Sequence, residues 1–324
     1  MRFLWARRLV PVLLVGLFVT LTACSGSSTP TPESEDGTAV PESAGAPAVG
    51  TYRVSTRTLD LTDTSRVTDE DPTKAGGDTP GRHLPTTIWY PTTGDGPFPV
   101  VAFSHGVLST ASTYDELLSA WASAGFVVVG PTFPLTNHDV ETVYEDILNQ
   151  PADVSFVLTA ALALNTTAGD DLEGRIDPIH VAAAGHSGGA VTTIGLLNTC
   201  CTDTRITAAI VMAGTTTGFG SSFATPGVPV LFEHGTADDT VPISAGEAAY
   251  QAYPGPKAFI SLLGGVHPGP YNDKPKDTHF STVLATTTDF LRWSLSGDTE
   301  ALAAMQAAAD KSGVAELTAD QLQG

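Results

Sequence analysis

Nine consecutive residues restrict what this chain can fold into more than any other stretch: Val181-Ala182-Ala183-Ala184-Gly185-His186-Ser187-Gly188-Gly189. Val181–Ala184 is a short run of small apolar side chains, the kind buried within a parallel sheet. Gly188–Leu197 reads as a helix, so a strand passes into a helix across Gly185-x-Ser187-x-Gly189. Glycines two residues either side of the serine suit such a sharp turn, because side chains there would clash where strand and helix converge. The serine then stands at a helix start, beside unpaired N–H groups and the positive end of the helix dipole. The motif occurs once in the chain. Its spacing alone is weak evidence, and its weight comes from the elements around it.

Those elements follow a rhythm. Tyr52–Leu61 alternates and predicts a strand, Thr62–His83 a polar acidic loop, and Thr86–Tyr90 a second strand stopped by Pro91. Strands are then predicted at Pro99–Phe103, Phe126–Val129, Ile179–Ala184, Ala208–Ala213, Val228–Phe232 and Ala258–Leu262. Helices are predicted between them at Ser112–Ala124 (with Gly125 as its stop), Val140–Leu164 (broken at Pro151), Gly188–Leu197, Ser244–Tyr253 and His279–Leu295. Two leading strands and repeated strand–helix units give an α/β class: a mostly parallel central sheet with helices on both faces. Only Gly214–Gly227 separates two late strands, too little for a large cap domain.

The N-terminus has a different character. Arg2, Arg7 and Arg8 precede an apolar Leu9–Leu21, followed by Leu21-Thr22-Ala23-Cys24. The apolar stretch is too short for a permanent span and fits a removable export signal. The ending resembles a bacterial lipobox, which implies lipidation of Cys24 and anchoring on the outer face of the cell membrane, with plain secretion as the alternative. Arg7-Arg8 fits a twin-arginine signal poorly. The expected organisation is a signal at 1–23, a Ser/Thr/Pro/Gly-rich tether at 24–50, a globular α/β domain at 51–296, and an Ala-rich tail at 297–324 read as a peripheral helix or frayed end. Cys200 and Cys201 are adjacent, so they are either a vicinal disulfide or two buried thiols, and no disulfide framework exists. Fifteen Lys and Arg against 35 Asp and Glu leave a net charge of -20, which argues against a nucleic-acid partner.

A serine hydroxyl needs a base and an orienting carboxylate before it can act as a nucleophile. Behind a strand–serine–helix turn these follow in the order acid, then histidine. Pro229–Pro242 contains a strand and a loop with Asp238 and Asp239, and Leu263–Gly269 contains His267 in a glycine-rich loop beyond the next strand. His279 is the rival base, although it falls early in the last helix. His234 suits a packed strand end. Ser104-His105-Gly106-Val107 follows the strand at Pro99–Phe103, which makes the backbone N–H groups of Val107 and Gly188 the candidate oxyanion donors.

Taken in order, Ile88–Pro91, Phe103–Gly106, Gln150–Val154, Gly185–Gly189, His234–Pro242 and Gly264–His267 resemble stretches of the α/β-hydrolases. The likeness is to dienelactone-hydrolase-like proteins, platelet-activating-factor acetylhydrolases and cutinase-type polyesterases. It covers about residues 52–295 and implies a serine carboxylic-ester hydrolase with no cofactor and no metal. In that pattern Asp238, four residues before Pro242, is the acid, and Asp153 is structural. A serine rather than a cysteine at 187 departs from true dienelactone hydrolases and implies ordinary esters. Gly188, where a bulkier residue is common, implies a roomier acyl pocket. The expected partner is a small or polymeric ester, with polyester hydrolysis as one alternative and a catalytically silent envelope lipoprotein as another. The oligomeric state is not legible. The acidic run Asp69-Glu70-Asp71 reads as a solvated loop rather than a calcium site.

Overall fold

The computed structural model describes residues 50–69, 78–272 and 277–323, all within one unit spanning Gly45–Gly324. The export signal, Cys24, nearly all of the tether, and Glu70-Asp71 lie outside the described residues. The strands are β1 (Val54–Asp69), β2 (Asp78–Pro91), β3 (Phe98–Ser104), β4 (Val127–Pro131), β5 (Ile176–His186), β6 (Ile206–Met212), β7 (Val230–Gly235), β8 (Lys257–Leu262) and β9 (Ala315–Asp320). They form one sheet in the order β1-β2-β4-β3-β5-β6-β7-β8-β9. The six strands from β4 to β8 pair in parallel, while β1, β2 and β9 are antiparallel additions at the two edges.

Seven α-helices cover the sheet: α1 (Asp115–Ser123), α2 (Gln150–Ala163), α3 (Gly188–Leu197), α4 (Ile243–Ala252), α5 (Gly269–Asn272), α6 (Thr278–Ser296) and α7 (Thr299–Ala309). The strand period of two sorts the core onto two faces. Val101, Phe103, Ala182 and Ala184 pack with α1, α6 and α7, while Val100, Ala102, Val181 and Ala183 pack with α2, α3 and α4. The near-continuous apolar runs of β3 and β5 follow from burial on both sides. Gly125 ends α1 region as expected, at φ +107°, where a β-carbon would be strained.

Three expectations need correction. Of the expected loop Thr62–His83, the described residues Thr62–Asp69 and Asp78–His83 are strand, because β1 continues to Asp69 and pairs with β2 from Asp78. The β-branched Thr62, Thr64, Val67 and Thr68 suit extended backbone, and Arg66 and Arg82 turn toward α2 rather than water. Val140–Leu164 is not one broken helix: Tyr144–Asn149 is a 3-10 turn, and Pro151 lies in the first turn of α2, where its missing N–H costs nothing. The tail is helical over α7, as expected, but residues 297–323 are neither frayed nor peripheral, since Leu302, Met305 and Ala315 are buried in the core. After α7 it returns as β9 against β8, completing one sheet edge. Of the two states left open for Cys200 and Cys201, the structure shows the vicinal disulfide, at the surface.

The hairpin is fastened by buried charge. Arg82, 1% exposed, donates through both terminal nitrogens to Asp146 at 2.9 Å and through Nε and Nη2 to Asp153 at 2.7 and 2.6 Å. Arg66 adds a contact to Asp153 at 2.5 Å and one to Asp63 at 2.7 Å. Burial opposes the Arg82 charge, but the two carboxylates outweigh it and raise its pKa. Asp153, in the first turn of α2, is thus structural. Because Asp146 belongs to the 3-10 turn, the same pair fixes Tyr144–Asn149 against the sheet. Arg82→Leu leaves two carboxylates in low dielectric and is expected to cost about 3–5 kcal/mol in urea unfolding. A loss below about 1 kcal/mol would mean that water reaches the pair.

Candidate active site

The turn between β5 and α3 holds Ser187 at φ 56°, ψ -120°. Non-glycine residues avoid this region unless their surroundings impose it. Here the surroundings leave no room for anything else. A β-carbon on Gly185 would stand 2.2 Å from the Gly189 carbonyl oxygen, and one on Gly189 would stand 2.0 Å from that of Ser104. Leu108 at φ 60° and Ala213 at φ 51° share the unusual backbone, and both line the same cavity as Ser187.

His267 arrives on the loop after β8 and Asp238 on the loop after β7. Asp238 Oδ1 accepts the N–H groups of Thr240 and Val241 at 2.9 and 2.8 Å. Its Oδ2 lies 2.7 Å from His267 Nδ1, and His267 Nε2 lies 2.8 Å from Ser187 Oγ. A carboxylate only accepts, so Nδ1 carries the proton and bare Nε2 accepts the serine hydroxyl. Burial pushes the Asp238 carboxyl up, but its bond to His267 and the two N–H groups outweigh this and hold it below the usual range. The two loops are joined directly: Gly235 would clash with the Gly265 carbonyl oxygen at 2.2 Å if it bore a β-carbon.

The rivals stand elsewhere. Asp239 is exposed, and His279 bonds the Leu263 carbonyl oxygen at 2.7 Å. His234 donates through Nε2 to the Val241 carbonyl at 2.8 Å, which pins the acid loop. His105 receives the Phe133 N–H at Nε2, 3.0 Å away, and donates through Nδ1 to the Gly106 carbonyl at 2.8 Å. Burial lowers the pKa of both rings, that of His105 to about 4, so they are neutral supports.

Val107 and Gly188 face each other beside Ser187. A β-carbon on Gly188 would lie 3.6 Å from the Val107 nitrogen and 2.8 Å from its Cγ2. Both residues line a cavity of about 580 Å³ with Ser187 and His267. Its walls include Ile147 and Leu148 of the 3-10 turn and Thr215, Thr217 and Gly218 from the β6–β7 connection. Sequence reasoning missed both walls. Nothing in local spacing shows that Tyr144–Asn149 reaches the serine, since an ion pair with β2 places it there.

Residues 50–222 match the protein-family model described as chlorophyllase, just over half of the chain. The chain belongs to the chlorophyllase family. Membership makes it an ester hydrolase of the α/β-hydrolase type. The match spans β1 through the loop beyond β6, including Ser187 and Val107, and ends before Asp238 and His267. No curated protein matches the chain.

Glu233, the residue before His234 on β7, is fully buried; Thr286 bonds Oε1, and Oε2 has no partner. Burial pushes its pKa up to about 8, and the Thr286 bond offsets this only in part. The native state therefore keeps a proton that the unfolded chain releases above the ordinary value of 4.5. Stability from this group is present below about pH 4.5 and is lost as pH rises to about 8, by roughly 1 kcal/mol per pH unit. Glu233→Gln is expected to flatten that slope in urea midpoints measured from pH 5 to 8. Parallel slopes for the two proteins would count against a neutral Glu233.

Proposed function

We propose that this chain is a serine carboxylic-ester hydrolase working through an acyl-enzyme. Ser187 Oγ attacks the ester carbonyl carbon while His267 Nε2 takes its proton. Asp238 holds the imidazole and stabilises its positive charge. The N–H groups of Val107 and Gly188 receive the oxyanion. His267 then protonates the departing alcohol, and water enters by the same route in reverse to release the acid.

The observation that carries this reading is the unbroken line of two hydrogen bonds, 2.7 and 2.8 Å, from Asp238 through His267 to Ser187 at the cavity edge. Among the described residues the Val107 and Gly188 N–H groups have no acceptor, which suits donors kept for a substrate oxygen. The walls support a reading of the substrate class. Val107, Leu108, Ile147, Leu148, Val191 and Val241 present mostly apolar surface. Leu108, Tyr144 and Leu148 are at least half exposed at its mouth. We assign accessible esters with short to medium apolar acyl groups, consistent with the likeness to acetylhydrolase and cutinase-type stretches. Export and anchoring through Cys24 belong to the same proposal, placing the enzyme where it meets such esters outside the cell.

Full-length protein is expected to cleave p-nitrophenyl butyrate to octanoate faster than palmitate and to be labelled by a fluorophosphonate. Ser187→Ala should lose labelling and at least about a thousandfold in kcat. A folded wild type that neither turns over nor labels would end the esterase reading.

A further inference from the structure

His186 sits between Gly185 and Ser187, is buried, and reaches away from the cavity. Its Nδ1 lies 2.8 Å from Tyr114 Oη, and its Nε2 lies 3.0 Å from the backbone carbonyl oxygen of His267. Its ring is 4.8 Å from those of both His267 and Tyr271. Burial drives its pKa down to about 3, with His267 opposing its charge as well, so the ring is neutral. A carbonyl oxygen only accepts, so the single proton must be on Nε2. Nδ1 is then bare and accepts the Tyr114 hydroxyl proton. The Tyr114 oxygen in turn accepts the Gly106 N–H at 3.2 Å. Each atom in the line has one compatible role.

The line joins two parts of the site that are distant in sequence. Gly106 immediately precedes Val107, and His267 is the base. A β-carbon on Gly106 would crowd Tyr114 Oη, His186 Nδ1 and Ser187 Cβ at 3.1, 3.2 and 3.3 Å, so the bonds pass through a gap that glycine leaves. We propose that Tyr114 and His186 are positioning residues: the His267 carbonyl fixes the His186 tautomer, Tyr114 anchors the bare Nδ1 of that ring, and His186 Nε2–H holds the main chain of His267 so that its imidazole meets Ser187. The bond acts on the base's backbone, complementing Asp238, which acts on its side chain. The catalytic half of this inference rests on the esterase reading; the tautomer does not.

Small displacements of a positioned group cost up to about a hundredfold in rate, without a matching loss in ground-state binding. His186→Leu should therefore lower kcat about 10- to 100-fold with KM within about twofold. His186→Gln can both donate to the His267 carbonyl and accept from Tyr114, and should recover much of that loss. Tyr114→Phe should lower kcat while leaving the fold intact, and its effect should be non-additive with His186→Leu. Equal impairment by Leu and Gln, or losses confined to KM, would overturn the positioning role. Ring 15N shifts of the full chain at pH 7 test the line without any substrate. The expected His186 signal is a neutral Nε2–H tautomer that Tyr114→Phe leaves in place, while the bare Nδ1 shift moves because it loses its donor. An Nδ1–H or doubly protonated ring would overturn the proposal, even where ester turnover is normal. An inert wild type with the Nε2–H signal would instead fault the esterase reading and leave the hydrogen-bond line standing.

Discussion

The site hangs on the backbone at Ser187. A residue with a β-carbon is kept at φ 56° by a strand buried in the middle of the sheet on one side and a fully buried helix on the other. Main chain touches main chain at Gly185, Gly189 and Ser104, so the turn cannot relax into a commoner conformation without parting β5 from α3. Such strain costs of order 1–3 kcal/mol and persists only where packing over-determines it. That packing is supplied by both core layers, which meet at β5. The strain aims the serine oxygen out of the sheet at the point where two later loops can reach it.

The molecule handles buried polarity in two contrasting ways. At the β1–β2 hairpin, full charges are buried but paired, with Arg82 shared between Asp146 and Asp153. Around the serine the buried supports are uncharged: His105 and His186 are neutral rings, each satisfied by a backbone carbonyl on one nitrogen and by a donor on the other. A neutral support orients loops without altering the charge that the Asp238–His267 pair must carry. The ion cluster does a different task. It holds the 3-10 turn whose side chains form one cavity wall, so a feature far from the chemistry shapes what the site admits.

Most of the parallel core was legible along the chain, because strands buried on both faces are written as short apolar runs and α3 begins at its glycines. Serine, acid and histidine were legible as an ordered set in loops after strands. Elsewhere local signals misled. Arg66 and Arg82 look like loop residues until carboxylates from another element neutralise them. Pro151 looks like a break until the preceding turn is seen to be 3-10. The alanines of α7 carry no sign that the chain beyond them returns to pair with β8. Tyr114 and His186, 72 residues apart, show no pattern at all.

The sequence by itself therefore determined the class of fold, the strand–serine–helix turn, and the order in which its partners follow. These depend on local properties: small side chains, glycine's tolerance of close backbone approach, and the apolar period of strands. Tertiary structure added that the preferred candidates meet: Asp238 and His267 are hydrogen-bonded to each other and His267 to Ser187, whereas His279 bonds the Leu263 carbonyl. It also set which walls line the cavity and which buried rings lie beside His267. Those outcomes depend on distances between segments scores of residues apart, and such distances exist only once the sheet has brought the segments together.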